Sequence, residues 1–301
     1  MLIFAAGRAG AMGHSLRYFT RSLADLFLPR ICVVCGGELT LDEQSICLGC
    51  LADLPQTHFW STEHNPMSDR YNALITPAEE EPYGYALALF NYNSESPYRR
   101  ITPALKYRAN LSAGRFFARM LAERIRGCGY LGDVDLIVPV PIHWRRRLSR
   151  GYNQAEVIAR AVGESLGISV APRLLQRVRY SASQTRTSVE AKSANVRGAF
   201  RVRPASADGH LHTNLPRSVS LLCGAGAGLR GGLPRFGFPK RGASDAVLGG
   251  ATSALGPRHI LLIDDVCTTG ATLAACHDAL REVFPSSTRI SAATLAFVIH
   301  S

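Results

Sequence analysis

The sequence predicts an α/β protein, with a parallel-dominated sheet flanked by helices and a small N-terminal module built on four cysteines. Three observations predict it. Short apolar runs within Asp135 to Pro141 and from Ile260 to Ile263 read as strands buried on both faces, the habit of parallel sheets covered by helices. Stretches with apolar residues at helical spacing lie between and after these runs. Two Cys-x-x-Cys pairs, Cys32 with Cys35 and Cys47 with Cys50, stand eleven residues apart near the start of the chain.

Taken in order, Met1 to Thr20 carries Arg8 and Arg17 and no acid, and it lacks the basic-then-apolar order of a secretory signal. Residues 1-25 therefore read as a loosely ordered extension, with a short amphipathic helix over Ser22 to Leu28 leading into Pro29. Residues 26-55 form the cysteine module. Four thiolates converging at this spacing suit tetrahedral Zn2+ in a structural role, and Gly36 and Gly37 permit the turn after the first pair. Paired disulfides, a redox dithiol and an iron-sulfur cluster are the alternatives.

Leu54 to Pro82 is polar and reads as a connector, with His58 and His64 as solvated loop residues. Tyr83 to Tyr92 suggests a strand. Ser96-Pro97 is a cap followed by proline at the first helical position, which starts a helix reaching about Tyr107. A second helix from Ser112 to Arg126 would bury Phe116, Phe117, Met120, Leu121 and Ile125. Lys106 ends the first helix, either as a solvated cation that favours the dipole or as a phosphate contact.

The strand that stops at Pro139 and Pro141 is followed by Ile142 to Gln154, read as a loop bearing Arg145, Arg146, Arg147 and Arg150. A basic run is usually a solvated face. Immediately after a core strand, however, it lies where open α/β sheets bind ligands, so polyanion binding is the preferred reading. Asn153 is expected to cap the next helix, whose apolar positions Val157, Ile158, Ala161, Val162 and Leu166 run to a stop at Gly167.

Residues 204-257 hold eleven Gly and five Pro in 54 positions, a composition of disorder, so this span is expected to be a disordered insertion. Its five Lys or Arg against two Asp make it mildly basic, and His210 and His212 could pair on a metal. Arg289 to Ile299 reads as the closing strand.

The stretch from His259 to Leu273 carries the chemistry. The apolar run ends at adjacent carboxylates, Asp264 and Asp265, and Thr268, Thr269, Gly270, Ala271 and Thr272 lead into a helix with Leu273, Cys276, His277, Leu280, Val283 and Phe284 on one side. A helix start offers free N-H groups and a positive dipole end to an anion, and Gly270 lets the main chain come close. Carboxylates only accept, so the acid pair should face hydroxyls or a metal beside that anion. A sugar phosphate meets both demands. A nucleotide P-loop is disfavoured because no Gly-Lys-Ser/Thr follows.

These residues resemble the phosphoribosyl pyrophosphate (PRPP) signature of type I phosphoribosyltransferases. The resemblance implies that Asp264 and Asp265 hold the ribose hydroxyls and that Cys267, Thr268, Thr269, Gly270, Ala271 and Thr272 hold the 5'-phosphate, with Mg2+ accompanying PRPP. Further motifs narrow it: Val138-Pro-Val-Pro141, Arg150-Gly-Tyr-Asn-Gln154, Gln184-Thr185 and Asn195-Val-Arg-Gly-Ala-Phe200 are similar to the ComF family of competence-related proteins. That family also carries a four-cysteine zinc module and a Leu-Lys-Tyr like Leu105 to Tyr107. The likeness implies a phosphoribosyltransferase-like domain over residues 83-203 and 258-301; if it uses PRPP, Lys106 and Arg150 are the cations assigned to the pyrophosphate side. The chain departs from the family at Arg186-Thr-Ser188 and Lys192, where Gly-Leu-Ser and a basic residue are usual, and in the long insertion.

The net charge of +11, from 34 basic and 23 acidic residues, suits polyanionic partners. No window approaches the apolar length of a membrane span, and cysteines in a metal-type arrangement point to a reducing, cytoplasmic setting. Two functions compete. One is a protein that binds PRPP and transfers its phosphoribosyl group. The other, implied by the family likeness, is an accessory of DNA uptake or recombination that binds single-stranded DNA or a protein of the competence machinery. A scaffold that folds around zinc and binds a partner is the blander third.

Overall fold

A computed structural model describes residues 30–75, 83–107, 111–179, 196, 198–203 and 256–299. The expectations for residues 1-25, for Gln184 to Asn195, and for His210, His212 and nearly all of the insertion lie outside the described residues. A five-stranded sheet forms the centre, built from β1 (Ala86–Tyr92), β2 (Leu136–Pro139), β3 (Ser169–Val170), β6 (His259–Cys267) and β7 (Arg289–Val298). Its order is β1-β7-β6-β2-β3 and every pairing is parallel. Two short strands, β4 (Leu175–Arg177) and β5 (Phe200–Val202), form a separate antiparallel ribbon. The α/β class and the mostly parallel sheet are as the sequence predicts.

Side chains alternate across a strand, so each central strand feeds two cores. Leu261 and Ile263 enter one face with Leu87, Leu89 and Ile137, covered by Phe117 and Leu121 of α4 (Leu111–Arg126) and Ile158 and Val162 of α6 (Gln154–Leu166). Ile260 and Leu262 enter the other with Ala86, Leu136 and Val138, covered by Leu273, Cys276 and Leu280 of α7 (Ala271–Arg281). Two-sided burial of this kind explains why the strands read as continuous apolar runs.

The helix expected from Ser96 begins as a 3-10 turn, Pro97–Arg100, with the Ser96 side chain accepting from Tyr98 N, and continues as α3 (Ile101–Tyr107). Four expectations need correction. The span read as a connector contains α2 (Pro66–Asn72), which follows a short helix α1 (Leu48–Ala52) and buries Met67 and Tyr71 in the second core. The arginine segment read as a loop is a helix, α5 (Trp144–Arg150), capped by His143 and closed by Gly151 at φ 81°. Asn153 occupies the N-cap position of α6, and its carbonyl accepts from Val157 N at 3.2 Å, but its side chain does not cap the helix; the amide donates instead to Val140 O at 2.9 Å. Finally, β6 does not end before the acids. The ten-residue β7 keeps pairing with it, placing Asp264 opposite Thr294 and Cys267 opposite Phe297.

The cysteine segment lies against the sheet edge. Gln56 bridges Phe90 of β1, Asn91 N donates to Pro55 O at 2.9 Å, and Cys32, Val34, Leu39 and Ile46 share the first core. At the opposite ends of the strands, buried His259 bonds Asp133 at 2.6 Å and Ser291 at 2.8 Å, tying β6 and β7 to the turn before β2. Among the described residues no helix is long and apolar enough to cross a membrane.

Candidate functional site

The acid pair sits near the C-terminal end of β6, the rim where open parallel sheets receive ligands. Because neighbouring strand residues face opposite ways, Asp265 follows Leu261 and Ile263 toward the α3 side, and Asp264 follows Ile260 and Leu262 toward the α7 side. On the first side Lys106 Nζ meets Asp265 Oδ2 at 2.8 Å. On the second side Asp264 acts electrostatically on Arg177 of β4 and on the Cys276 thiol of α7.

Burial and the adjacent Asp265 carboxylate push the Asp264 carboxyl well above the usual carboxylate range, although the Asp265 N-H donates to its Oδ1 at 2.8 Å. Burial disfavours the Lys106 charge, but attraction to Asp265 and Asp264 outweighs it and raises the lysine's affinity for its proton. Arg150 works against that rise, so its charge reaches the same spot. Burial and then repulsion from Arg146 lower the Arg177 pKa, with Asp264 opposing both. Lys106 and Arg177 thus answer the two acids directly, while Arg150 and Arg146 act on those two cations in turn.

The expected phosphate-binding residues follow directly. Cys267 closes β6 with its side chain buried, and burial pushes its thiol up to about 12, so it contributes a neutral group. Thr268 is exposed and Thr269 half-buried, with Thr269 Oγ1 accepting from Ala271 N at 3.4 Å. Gly270 adopts φ 82° as the N-cap residue of α7, and a Cβ there would stand 3.2 Å from Leu74 Cδ1. Ala271 and Thr272 form the half-buried first turn of α7.

Arg70 of α2 braces this turn, a role the sequence did not disclose. Its guanidinium donates to Thr268 O and, at 3.1 Å, to Val298 O, and stacks 4.3 Å from the centre of the Phe297 ring. The signal that could have found α2 was Asn65-Pro66, a cap followed by proline; Asn65 Oδ1 accepts from Met67 N and Ser68 N. Arg177 had no local signal at all. The Arg150-to-Gln154 motif is largely a positioning device: Tyr152 OH donates to Leu105 O, Asn153 holds Val140 O, and Arg150 Nη1 reaches Gln154 Oε1 at 3.5 Å. Through Tyr152 these bonds tie the turn that carries Arg150 to α3, the helix of Lys106.

The four cysteines converge as expected. The Sγ atoms of Cys32, Cys35, Cys47 and Cys50 all lie within 4.8 Å of one another, and those of Cys35 and Cys47 are 3.8 Å apart. A tetrahedron with Zn–S bonds of about 2.3 Å has S···S edges of about 3.8 Å, so the spacing fits a four-thiolate zinc centre. Backbone N-H groups already point at the sulfurs: Cys47 N to Cys32 Sγ and Gly37 N to Cys35 Sγ, each 3.4 Å. Against the effect of burial, N-H groups of Cys35, Cys47 and Val34 bring the Cys32 thiol down to about 7, whereas burial and its cysteine neighbours push Cys50 up. Separately, a cavity of about 1010 Å³ opens between this module and α3, lined by Arg30, Arg99, Arg100 and mostly apolar groups.

Fold and site together define an α/β protein with an acid pair at the rim of a parallel sheet and a four-thiol cluster at its edge. No family model matches the chain. Among known proteins it is similar to Competence protein F of Haemophilus influenzae, 22% identical over 172 residues that cover 56% of this chain and 75% of that protein. It is also similar to DNA utilization protein YhgH of Salmonella typhi, 24% identical over 181 residues covering 59% and 79% respectively. The corresponding YhgH of Escherichia coli is 23% identical over 256 residues, 81% of each chain. These kinships bear out the resemblance to the ComF family.

Proposed function

We propose that this protein binds PRPP or a related sugar phosphate at the end of β6 and serves DNA utilization in the cell. The observation that carries the ligand is one of position: an acid pair bonded to Lys106 and a threonine turn opening a helix lie at a single sheet rim, with Arg177 within electrostatic reach of Asp264 and Arg150 of Lys106. Ribose hydroxyls donate to carboxylates, which suits Asp264 and Asp265. The first N-H groups of α7 have no intrahelical acceptor and suit a 5'-phosphate, with the hydroxyls of Thr268, Thr269 and Thr272 beside them. A diphosphate needs cations, and Lys106 and Arg150 stand on that side.

In phosphoribosyl transfer the bond from ribose C1 to the pyrophosphate oxygen breaks, its electron pair leaving with pyrophosphate, while a nucleophile bonds C1. Lys106 and Arg150 would stabilise the charge gathering on the leaving group, a task for fixed cations in a site closed to water. Mg2+ arriving with PRPP would add charge neutralisation, and the Asp265 carboxylate on the Lys106 side is a donor of the kind such an ion accepts alongside phosphate oxygens. The carboxylates would also compete with the pyrophosphate for Lys106, so ligand entry would exchange one anionic partner of that lysine for another.

The cysteine cluster is assigned a structural Zn2+ that holds the N-terminal module against β1. The wider role rests on the relatives, whose names speak of competence and of DNA utilization. The arginines of α5 give this chain a surface suited to single-stranded DNA, and a competence-machinery protein is the other partner in view. A reducing, cytoplasmic setting fits the thiol cluster. Calorimetry with PRPP and Mg2+ tests the ligand: wild type should bind and Asp265→Asn should not. Absence of binding by both, or equal binding by both, would sink the assignment.

A further inference from the structure

The helix α5 (Trp144–Arg150) exposes two large apolar side chains, Trp144 at 59% and Leu148 at 76% of their full accessibility. They are four residues apart and so stand one above the other on the same helix face. Single exposed leucines are ordinary, but an exposed indole aligned with one on a seven-residue helix is not. Both ends of the helix are pinned. His143 Nδ1 accepts from Arg145 N at 3.3 Å, and Gly151, at φ 81°, closes the last turn by donating to Arg147 O at 2.8 Å. The indole therefore projects from a fixed base.

Its surroundings are cationic. The Arg145 guanidinium lies 5.3 Å from the centre of the Trp144 ring, and Arg146, Arg147 and Arg150 belong to the same helix. From Leu136 to Ala155 the chain contains no acid; the first, Glu156, takes up Arg147 at 3.3 Å and Arg160 at 2.9 Å. Helix α5 follows β2, which pairs with β6, so it occupies the same rim as the acid pair, and the charges of Arg146 and Arg150 extend the positive field to Arg177 and Lys106.

We infer that Trp144 and Leu148 form a stacking platform for the bases of a single-stranded nucleic acid whose phosphates are held by the arginines of α5. The inference rests on the DNA-utilization reading and gives it a contact surface. An aromatic face beside cations is what a base and its phosphate require together, and stacking tolerates any sequence. An anionic membrane surface would also attract arginines, but two apolar side chains on two turns of helix offer little to bury, whereas interfacial helices present a long apolar face.

The chain has two tryptophans, Trp60 and Trp144, so Trp60→Phe leaves Trp144 as the reporter. Titration of that protein with oligothymidylate should quench the Trp144 emission. In the otherwise native chain, Trp144→Ala should weaken oligothymidylate binding roughly ten-fold while leaving the slope of log K against log salt unchanged, and Trp144→Phe should restore most of the affinity. Replacing Arg145, Arg146 and Arg147 by Ala should instead flatten that slope. If Trp144→Ala binds within about two-fold of wild type, or if the emission is unmoved at saturation, the platform is wrong although the DNA reading stands. If wild type does not bind oligothymidylate, both fail. If phosphatidylglycerol vesicles shift the emission and oligothymidylate does not, the face belongs to a membrane and the inference is overturned.

Discussion

Asp264 and Asp265 are chemically alike and neighbours in sequence, yet the strand separates their fates. Asp265 receives the Lys106 ammonium at 2.8 Å, whereas Asp264 is left with burial and a like charge, which hold its proton on. The consequence for stability has a definite sign. In the unfolded chain Asp264 ionises in the ordinary carboxylate range; in the native state it does so at higher pH. Between those two values the native state binds more protons, so its contribution to stability falls as pH rises from the ordinary carboxylate range toward the raised native value. Asp264→Asn should therefore raise the melting temperature at neutral pH and leave it little changed at a pH below the ordinary carboxylate range, checked by calorimetric melts across pH. A variant that melts lower than wild type at neutral pH would contradict the reading. Asp133 works the other way. Burial notwithstanding, its bond to His259 and the charge of Arg289 hold its carboxyl below the usual range, so its contribution is lost on acidification.

At the scale of elements, the parallel strands β1, β2, β6 and β7, the helices α4 and α6, and the turn into α7 were legible because they follow from periodicity and from local chemistry, whereas the two-residue β3 is too short to show a pattern. The boundaries were less so, for reasons that are tertiary. Nothing in Asp264-Asp265-Val266 announces a strand; it stays extended because β7 is long enough to pair with it. The segment Trp144 to Arg150 has no buried face, so it lacks the apolar stripe by which a helix is recognised, and only its caps show it. Arg70 and Arg177 reach the site from elements distant in sequence, which no spacing rule detects. The turn itself makes a testable demand: Gly270 is left-handed and faces Leu74 and Arg70 closely. Gly270→Ala should cost roughly 1–3 kcal/mol of stability through backbone strain and displacement of α2, read by chemical denaturation. It should also lower sugar-phosphate affinity, and an unchanged affinity would show that the turn does not cradle the anion.

For the whole molecule, the N-terminal cysteine segment and the sheet share one core, with Cys32 and Val34 in the cluster that holds Phe90 and Phe117. Arg100 Nη1 donates to Val34 O at 2.9 Å and Tyr98 OH to Cys50 O at 3.1 Å, joining the module to the approach of α3, the helix that ends in Lys106. Loss of a metal held by the four thiols should thus be felt at the acid pair. Metal analysis of protein prepared without chelator should find about one zinc per chain, and Cys35→Ser should lower both zinc content and melting temperature. Protein free of zinc with an unaltered melt would remove the assignment.

The claim on which the functional account turns is that the end of β6 holds a phosphoribosyl ligand, and calorimetric titration of PRPP in the presence of Mg2+, repeated in two buffers of different ionisation enthalpy, tests it most directly. Wild type should bind saturably and release protons, since a ligand that recruits the ionised pair would bring the raised Asp264 carboxyl back down. Asp265→Asn should lose the binding, and Asp264→Asn should abolish the proton release. Heats that are absent for wild type, or identical for wild type and both variants, would contradict it.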